Sequence, residues 1–451
     1  VKKKVVKKKV VRKVAKKKKR KTKAQVFKEA WQPERVEQSA GAYVDAIMDR
    51  LQKEKGDPDI VMVGSDDTVD VGIPFPSFCL EYLFGISVYP LGRIVMVVGP
   101  EASLKSGFVF EITRWFKESS GHAFTLEHES KFSKTHAQSI IGHEYKRATG
   151  LVWCDSIDDW QDNMQAIFSD IKLKMIGTKT NRGSGMVFPV HMTVDSIMGK
   201  SLRESQDRIE KKGHAGRDHP VEAQSITKFM RKIPQDIRRW PFAITMVNHL
   251  KAKKTEQGFL IRDKAGGKGL DFQETFEIEM ARVTRSKLKD YEVLRLRMRC
   301  AKSSLGIDQR SILADVLFWD EPEDAENPEG SWHQKTVFNW HGATIDLLLG
   351  MEGPERKRWS GDREVDDPGV LDLHRHDLGN KGKGVWSRTL GIPETDPVPF
   401  AEAGAILSDN VEVMTALRHR FGIKIFREFE PGTDYRETRG TTKKKIREKL
   451  R

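Results

Sequence analysis

Lys105 and Ser106 are where the chemistry of this 451-residue chain first becomes legible. They close the segment Gly99-Pro100-Glu101-Ala102-Ser103-Leu104-Lys105-Ser106-Gly107. A glycine at one end of a tight loop and Lys-Ser at the other is a phosphate-holding pattern. Backbone N–H groups and a helix N-terminus face the phosphates, the Lys reaches the terminal ones, and the hydroxyl holds Mg²⁺. One position departs from G-x-x-x-x-G-K-[ST], because Leu104 stands where the second glycine belongs. A side chain there is strained, by roughly 1 kcal/mol or more, if the backbone needs φ > 0. The segment alone also admits a plain strand–turn–helix junction. Three further places carry suitable groups. Glu127 and Glu129 follow an apolar run, where a carboxylate can activate water for attack on a terminal phosphate; the alternative is two solvated acids. The segment MVFPVHMTVDS runs apolar into Asp195-Ser196, and an acid at the end of a buried strand can hold Mg²⁺ through water. Asn248-His249 ends FAITMVN.

Positioning these groups requires strands that finish at a common edge. Ile94–Val98 is an unbroken apolar run rich in β-branched residues, which reads as a strand buried on both faces. GFVFEITRWFKESSG then has helical spacing and stops at Gly121. A strand over Ala123–Leu126, a helix over KTHAQSIIGHEYKRAT, a strand at GLVWCDS and a helix over DDWQDNMQAIFSDIKLKMI continue the alternation. That rhythm predicts an α/β fold with a mostly parallel central sheet. Two long polar stretches, residues 200–219 and 250–268, interrupt it and read as functional loops. The second carries several basic residues around Phe259, a composition suited to single-stranded nucleic acid; the bland alternative for both is an exposed excursion. ETFEIEMARV and YEVLRLRMRCAKSS alternate with period 2 and predict an antiparallel hairpin or edge.

The expected organisation is a basic disordered tail over 1–25, an N-terminal helical or oligomerisation segment over 26–90, a nucleotide-binding core over 91–320, and a small C-terminal α+β domain over 321–451. The last boundary rests on the acidic break DEPEDAENPEGS. The net charge of +14 is concentrated in the tail, since residues 1–24 hold 15 Lys and Arg and no acid. Removing those 15 from the 79 Lys and Arg leaves 64 against 65 Asp and Glu, so the body is electrically balanced. Such a tail suits a polyanion, most simply nucleic acid, and otherwise a solubilising role. Cys79, Cys154 and Cys300 lie far apart in apolar runs and read as buried thiols of a reducing compartment. No apolar run approaches the roughly 20 residues of a membrane span, so no membrane partner is expected.

Taken in order, these motifs resemble the RecA/UvsX family of strand-exchange recombinases. GRIVMVVGPEASLKSG is similar to the family's Walker A segment, LEHESKF to its D-x-E segment, and HMTVDSIMGK to its Walker B strand. SITKFMRKIPQDIRRWPFAITMVNHLK and GGKGLDFQETFEIEMARV resemble the approach to and exit from its second DNA loop. Leu104 and Asn248-His249 look closest to the phage UvsX-like branch.

The resemblance implies a RecA-like ATPase core and a DNA-dependent ATPase using ATP and Mg²⁺. It implies filaments on single-stranded DNA, pairing with homologous duplex, single-strand-binding and mediator proteins as partners, and a cytoplasmic setting, that of the bacterial host for a phage protein. It also implies residue roles. Gly99 through Gly107 would hold the phosphates, and Ser106 and Asp195 the metal. Glu129 would be the catalytic carboxylate, with Glu127 the runner-up, and His249 the γ-phosphate sensor. His136 would cover the adenine, and Lys302 would reach a neighbouring subunit's ATP. The DNA loops would present Arg203, Arg208, Lys211, Lys212 and Arg217, then Lys251, Lys253, Lys254, Phe259, Arg262, Lys264 and Lys268. Two other classes stay open: a catalytically weak RecA-fold paralogue acting as a recombination mediator, and a RecA-fold hexameric helicase.

Overall fold

The computed structural model describes residues 71–129, 131–142, 149–176, 188–197, 219–237, 240–254, 260–264, 269–288, 290–322, 332–352, 371, 373–378 and 383–430. All of them belong to a compact unit running from Asp67 to Arg451; a second unit, Val1–Asp66, lies outside the described residues, as do the expected tail and most of the expected N-terminal segment.

Strand β1 (Val71–Pro74), helix α1 (Phe78–Phe84) and β2 (Val88–Pro90) come first. β3 (Arg93–Gly99) leads into α2 (Lys105–Glu118), and β4 (His122–Glu127) into α3 (Lys134–Ile141). β5 (Thr149–Trp153) and α4 (Ile157–Ile176) precede β6 (Val190–Asp195), and α5 (His219–Ile237) precedes β7 (Phe242–Lys254). Then come β8 (Leu260–Lys264), the short α6 (Gly269–Gln273), β9 (Phe276–Lys287), β10 (Glu292–Ser303), β11 (Ser311–Pro322) and β12 (Trp332–Phe338). The C-terminal part holds α7 (Trp340–Glu352), β13 (His374–Asp377), β14 (Lys383–Trp386), β15 (Val398–Pro399), α8 (Phe400–Asp409), α9 (Val411–Arg420) and β16 (Arg427–Glu428).

The central sheet runs β12-β11-β10-β9-β3-β7-β6-β4-β5, with β8 added to β7. Every pair from β9 across to β5 is parallel, and β10, β11 and β12 extend the sheet antiparallel. This is the mixed α/β architecture with a large central sheet that the alternation predicts. β3 sits between β7 and β9, and Ile94 through Val98 are buried, as a run apolar on both faces requires. α2 packs Phe108, Ile112, Trp115 and Phe116 into the same core.

Three features differ from the expectation. The helix expected over 134–149 stops at Ile141, because Gly142 takes φ 98° and turns the chain out of the helix. The stretch 250–268 is not loop throughout. β7 continues past His249, and Leu250 to Lys254 pair antiparallel with Lys264 to Leu260, so its backbone groups are met in a hairpin ladder. The sheet also does not end at residue 320, because β12 lies beyond the acidic break and pairs with β11 over Val316–Pro322. A second hydrophobic cluster joins Ile345 and Leu348 of α7 and Phe78 of α1 to Val385, Leu407 and Leu417. Arg418 of α9 ties this part to α1 through two 2.7 Å hydrogen bonds to the buried Glu81 carboxylate. All three cysteines are free and buried.

Candidate functional site

Strands β3, β6 and β4 end at one edge of the sheet, where their neighbour β7 passes through His249 before continuing into its hairpin. Register places Gly99 beside His249 and Glu127 beside Asp195, so a loop glycine, an imidazole and two carboxylates meet without any long connection. The carboxyl edge of a parallel sheet is where ligand crevices form in such folds.

The Gly99–Lys105 loop is tight. A Cβ on Gly99 would lie 2.3 Å from the Met280 carbonyl oxygen and 2.7 Å from Ser103 Oγ, so only glycine fits. Leu104 has φ 62° and ψ 30°, the left-handed conformation that the missing glycine would take freely. Its side chain is half-buried and lies against the position where a Cβ on Gly107 would stand. Ser103 Oγ donates to Pro100 O at 2.8 Å, and the Lys105 ammonium donates to Gly99 O at 3.1 Å and Pro100 O at 2.8 Å. Burial lowers the Lys105 pKa, against the opposing pull of Asp195 and Glu129. Ser106 Oγ donates to Asp195 Oδ2 at 2.6 Å. Burial raises the Asp195 pKa, partly countered by that hydrogen bond. The Asp195–Ser196 peptide bond is cis.

The two glutamates have separate surroundings. Glu127 Oε1 accepts the backbone N–H groups of Glu129 at 3.0 Å and Lys131 at 3.1 Å. Its carboxylate therefore fastens the turn that carries Glu129. Burial pushes its pKa up to about 7, with Asp195 and Glu129 adding to the rise and the backbone donors opposing it. Glu129 faces other side chains: Lys131 Nζ at 2.8 Å, His249 Nε2 at 3.0 Å, and the Ser196 hydroxyl, which donates to it. Desolvation acts against its charge, but Lys131, Ser196 and His249 together hold it at about 2.

Glu101 to Gly107, Glu127, Glu129, His136, Asp195 and His249 line one cleft of about 630 Å³. His136, at the N-terminal end of α3, is half-buried with its ring edge-on to Phe110 at 5.7 Å. The far wall holds residues that sequence reasoning missed: Arg282 and Arg285 of β9, Leu294 of β10, Phe318 of β11 and Gln334 of β12. Lys131 and Ser196 were missed as well. The Ser196 hydroxyl sits directly after Asp195 and was readable; the β9–β12 wall was not, because it depends on strand order.

Lys302, expected to reach a neighbouring subunit's ATP, donates within this chain to the carbonyls of Asp271 and Glu274, the latter at 3.1 Å. Lys264 is held by Asp271 at 2.6 Å, Glu274 at 3.0 Å and Glu277, so its charge is consumed inside the protein and not presented to a phosphate. Arg203, Arg208, Lys211, Lys212, Arg217, Phe259 and Lys268 lie outside the described residues. Lys251, Lys253, Lys254 and Arg262 belong to the backbone of β7 and β8, and their side chains lie outside the described residues.

No protein-family model matches the chain. It is 23% identical over 279 residues to Protein RecA of Nautilia profundicola, a match covering 61% of this chain and 73% of that protein. Against Protein RecA of Treponema pallidum the figures are 22% over 280 residues, 61% and 63%. Against that of Lactobacillus delbrueckii subsp. bulgaricus they are 21% over 322 residues, 67% and 88%. The similarity is distant but extends over about three fifths of the chain. It supports the RecA resemblance that the ordered motifs suggest.

Proposed function

We propose that this chain is an ATP-dependent recombination protein of the RecA type that assembles on single-stranded DNA and promotes pairing with homologous duplex. The distant similarity to RecA proteins supports the general reading. The finer parts, namely filament formation, strand exchange, single-strand-binding and mediator partners and a place in the phage UvsX-like branch, rest on the motifs.

The observation that carries the reading is the 3.0 Å contact between Glu129 and His249. It joins a carboxylate beside the Lys105 loop to the strand that continues into the β7–β8 hairpin, which bounds the expected DNA loop. The cleft suits ATP and Mg²⁺ by its donors. A hydroxyl and a carboxylate 2.6 Å apart, Ser106 and Asp195, are the hard oxygen groups that Mg²⁺ takes, and a volume of about 630 Å³ is in the range of small-molecule sites. Ser106 and Asp195 would hold Mg²⁺, which would supply charge neutralisation at the phosphates.

The chain's own groups divide the remaining work. Lys105 exchanges its carbonyl partners for phosphate oxygens. Glu129, ionised throughout the neutral range, orients and deprotonates the attacking water. Glu127 fixes the Glu129 turn. His249 links the occupancy of the cleft to the hairpin. Leu104 favours a second reading, since its left-handed backbone puts a bulky residue at the glycine position of the loop: a mediator that binds nucleotide and DNA without turnover.

The test is steady-state ATP hydrolysis with and without single-stranded DNA, for the intact chain, Lys105→Ala, Glu129→Gln and Glu127→Gln. DNA-stimulated hydrolysis that falls at least about 100-fold in the first two variants is expected. Activity that survives Glu129→Gln and is lost in Glu127→Gln would move the base by two residues. ATP binding without hydrolysis by the intact chain would select the mediator.

A further inference from the structure

The part of the cleft wall that β9 to β12 supply carries a cation that the roles above leave unused. Lys105 is engaged by two carbonyls and Lys131 by Glu129. Arg285 donates through Nε, at 3.0 Å, and Nη2 to the Glu292 carboxylate. Arg282 is exposed, lines the same cleft, and has neither carboxylate nor carbonyl partner among the described residues.

Its direction is set by the backbone. Along β9, Arg282 opposes Leu296 of β10, Thr284 opposes Arg295 and Arg285 opposes Leu294, with the register shifting between Arg295 and Leu296. Val283 is therefore an extra residue, a bulge. Regular alternation would turn Arg282 and Arg285 to opposite faces; the bulge brings both onto the face of Leu294, which lines the cleft. Arg282 also stands two residues beyond Met280, whose carbonyl oxygen closes on Gly99 at the start of the phosphate loop.

We propose that Arg282 is a phosphate-binding residue of the nucleotide cleft, contacting the α- or β-phosphate from the side opposite Lys105. This rests on the nucleotide reading given above. An exposed guanidinium without a partner among the described residues loses no ion pair seen there when it turns to a phosphate, and its fork offers two parallel hydrogen bonds. Arg285, bound by Glu292, does not share this freedom.

The test is equilibrium binding of ADP, AMP and adenosine, each with Mg²⁺, by calorimetry. The proteins are the intact chain, Arg282→Ala, Arg282→Lys, and Arg297→Ala on the other face of the hairpin. Arg282→Ala is expected to weaken ADP binding about 10-fold, with adenosine binding unchanged, partial recovery in Arg282→Lys, and no effect of Arg297→Ala. ADP affinity within about twofold of the intact chain, or an equal loss for adenosine, would overturn the assignment. A fall in single-stranded DNA affinity with ADP affinity intact would also overturn it. No ADP binding by the intact chain would overturn the nucleotide reading itself, and the Arg282 assignment with it.

Discussion

Leu104 makes an unusual demand on the polypeptide, and the demand can be measured. With φ 62° and ψ 30°, it holds a conformation costing a residue with a Cβ about 1–2 kcal/mol. Glycine takes that conformation without the clash but loses about 0.4–1 kcal/mol through the greater freedom of its unfolded chain. Replacing Leu104 by Ala or by Gly removes the same half-buried side chain beyond Cβ, so lost packing largely cancels between the two variants. Glycine should therefore be the more stable variant by about 0.5–1 kcal/mol, the reverse of the usual order at helix positions, where alanine leads by nearly 1 kcal/mol. Against the intact chain, Leu104→Ala should lose roughly 1 kcal/mol of apolar contact, while Leu104→Gly stays nearer neutral. The assay is thermal unfolding of the three proteins side by side, where a difference of this size is worth on the order of 2 °C. An alanine variant as stable as the glycine variant, or more so, would refute the strain argument. It would also remove the physical basis for reading Leu104 as a glycine substitute in a phosphate loop.

Two further outcomes follow from buried polar groups. His191 is fully buried between Thr113, at 3.0 Å, and Thr245, at 2.7 Å, and burial pushes its pKa down to about 3. Its folded pKa lies below the unfolded value of about 6.5, so the stability it contributes is complete above that value and is lost as the pH falls toward 3. By pH 5 the loss should reach about 2 kcal/mol, and unfolding curves of His191→Gln should be flatter between pH 7.5 and 5; parallel curves would count against a neutral buried imidazole. Arg418→Met should destabilise by about 3–5 kcal/mol, because it leaves the Glu81 carboxylate buried without its 2.7 Å partner. Adding Glu81→Gln should recover much of the loss in denaturant unfolding, and additive losses would show that the two groups are not coupled.

The legible part of this fold is the part written in local pattern. Ile94–Val98 reads as a strand buried on both faces, and Gly99, Glu127, Asp195 and His249 were each visible as the break that follows an apolar run. What stayed hidden depends on long-range pairing. Lys-rich stretches around residues 250–264 look solvated, yet strand pairing makes part of them a hairpin. Lys264 looks like a free cation until three carboxylates from α6, β9 and the turn between them close on it. The cleft wall of Arg282, Leu294, Phe318 and Gln334 has no local signature, because it exists only once β9 through β12 stand side by side and a single bulge resets the facing of β9.

The same distinction bears on what the spacing of the glutamates left open. From sequence, Glu127 and Glu129 are two acids separated by one residue, and each suits a general base. The fold gives them different partners. Glu127 spends its carboxylate on the N–H groups of Glu129 and Lys131, donors that belong to the turn itself. Glu129 meets only side chains, Lys131, Ser196 and His249, each of which can move. A group bound to backbone amides fixes geometry; a group bound to movable side chains can exchange them for a water. Glu127→Gln keeps an oxygen to accept from the turn and should weaken ATP hydrolysis only modestly, whereas Glu129→Gln removes the charge of the proposed base and should abolish it. On this proposal the acid nearer the strand positions and the acid two residues on reacts, and DNA-stimulated ATP hydrolysis that survives Glu129→Gln would refute it.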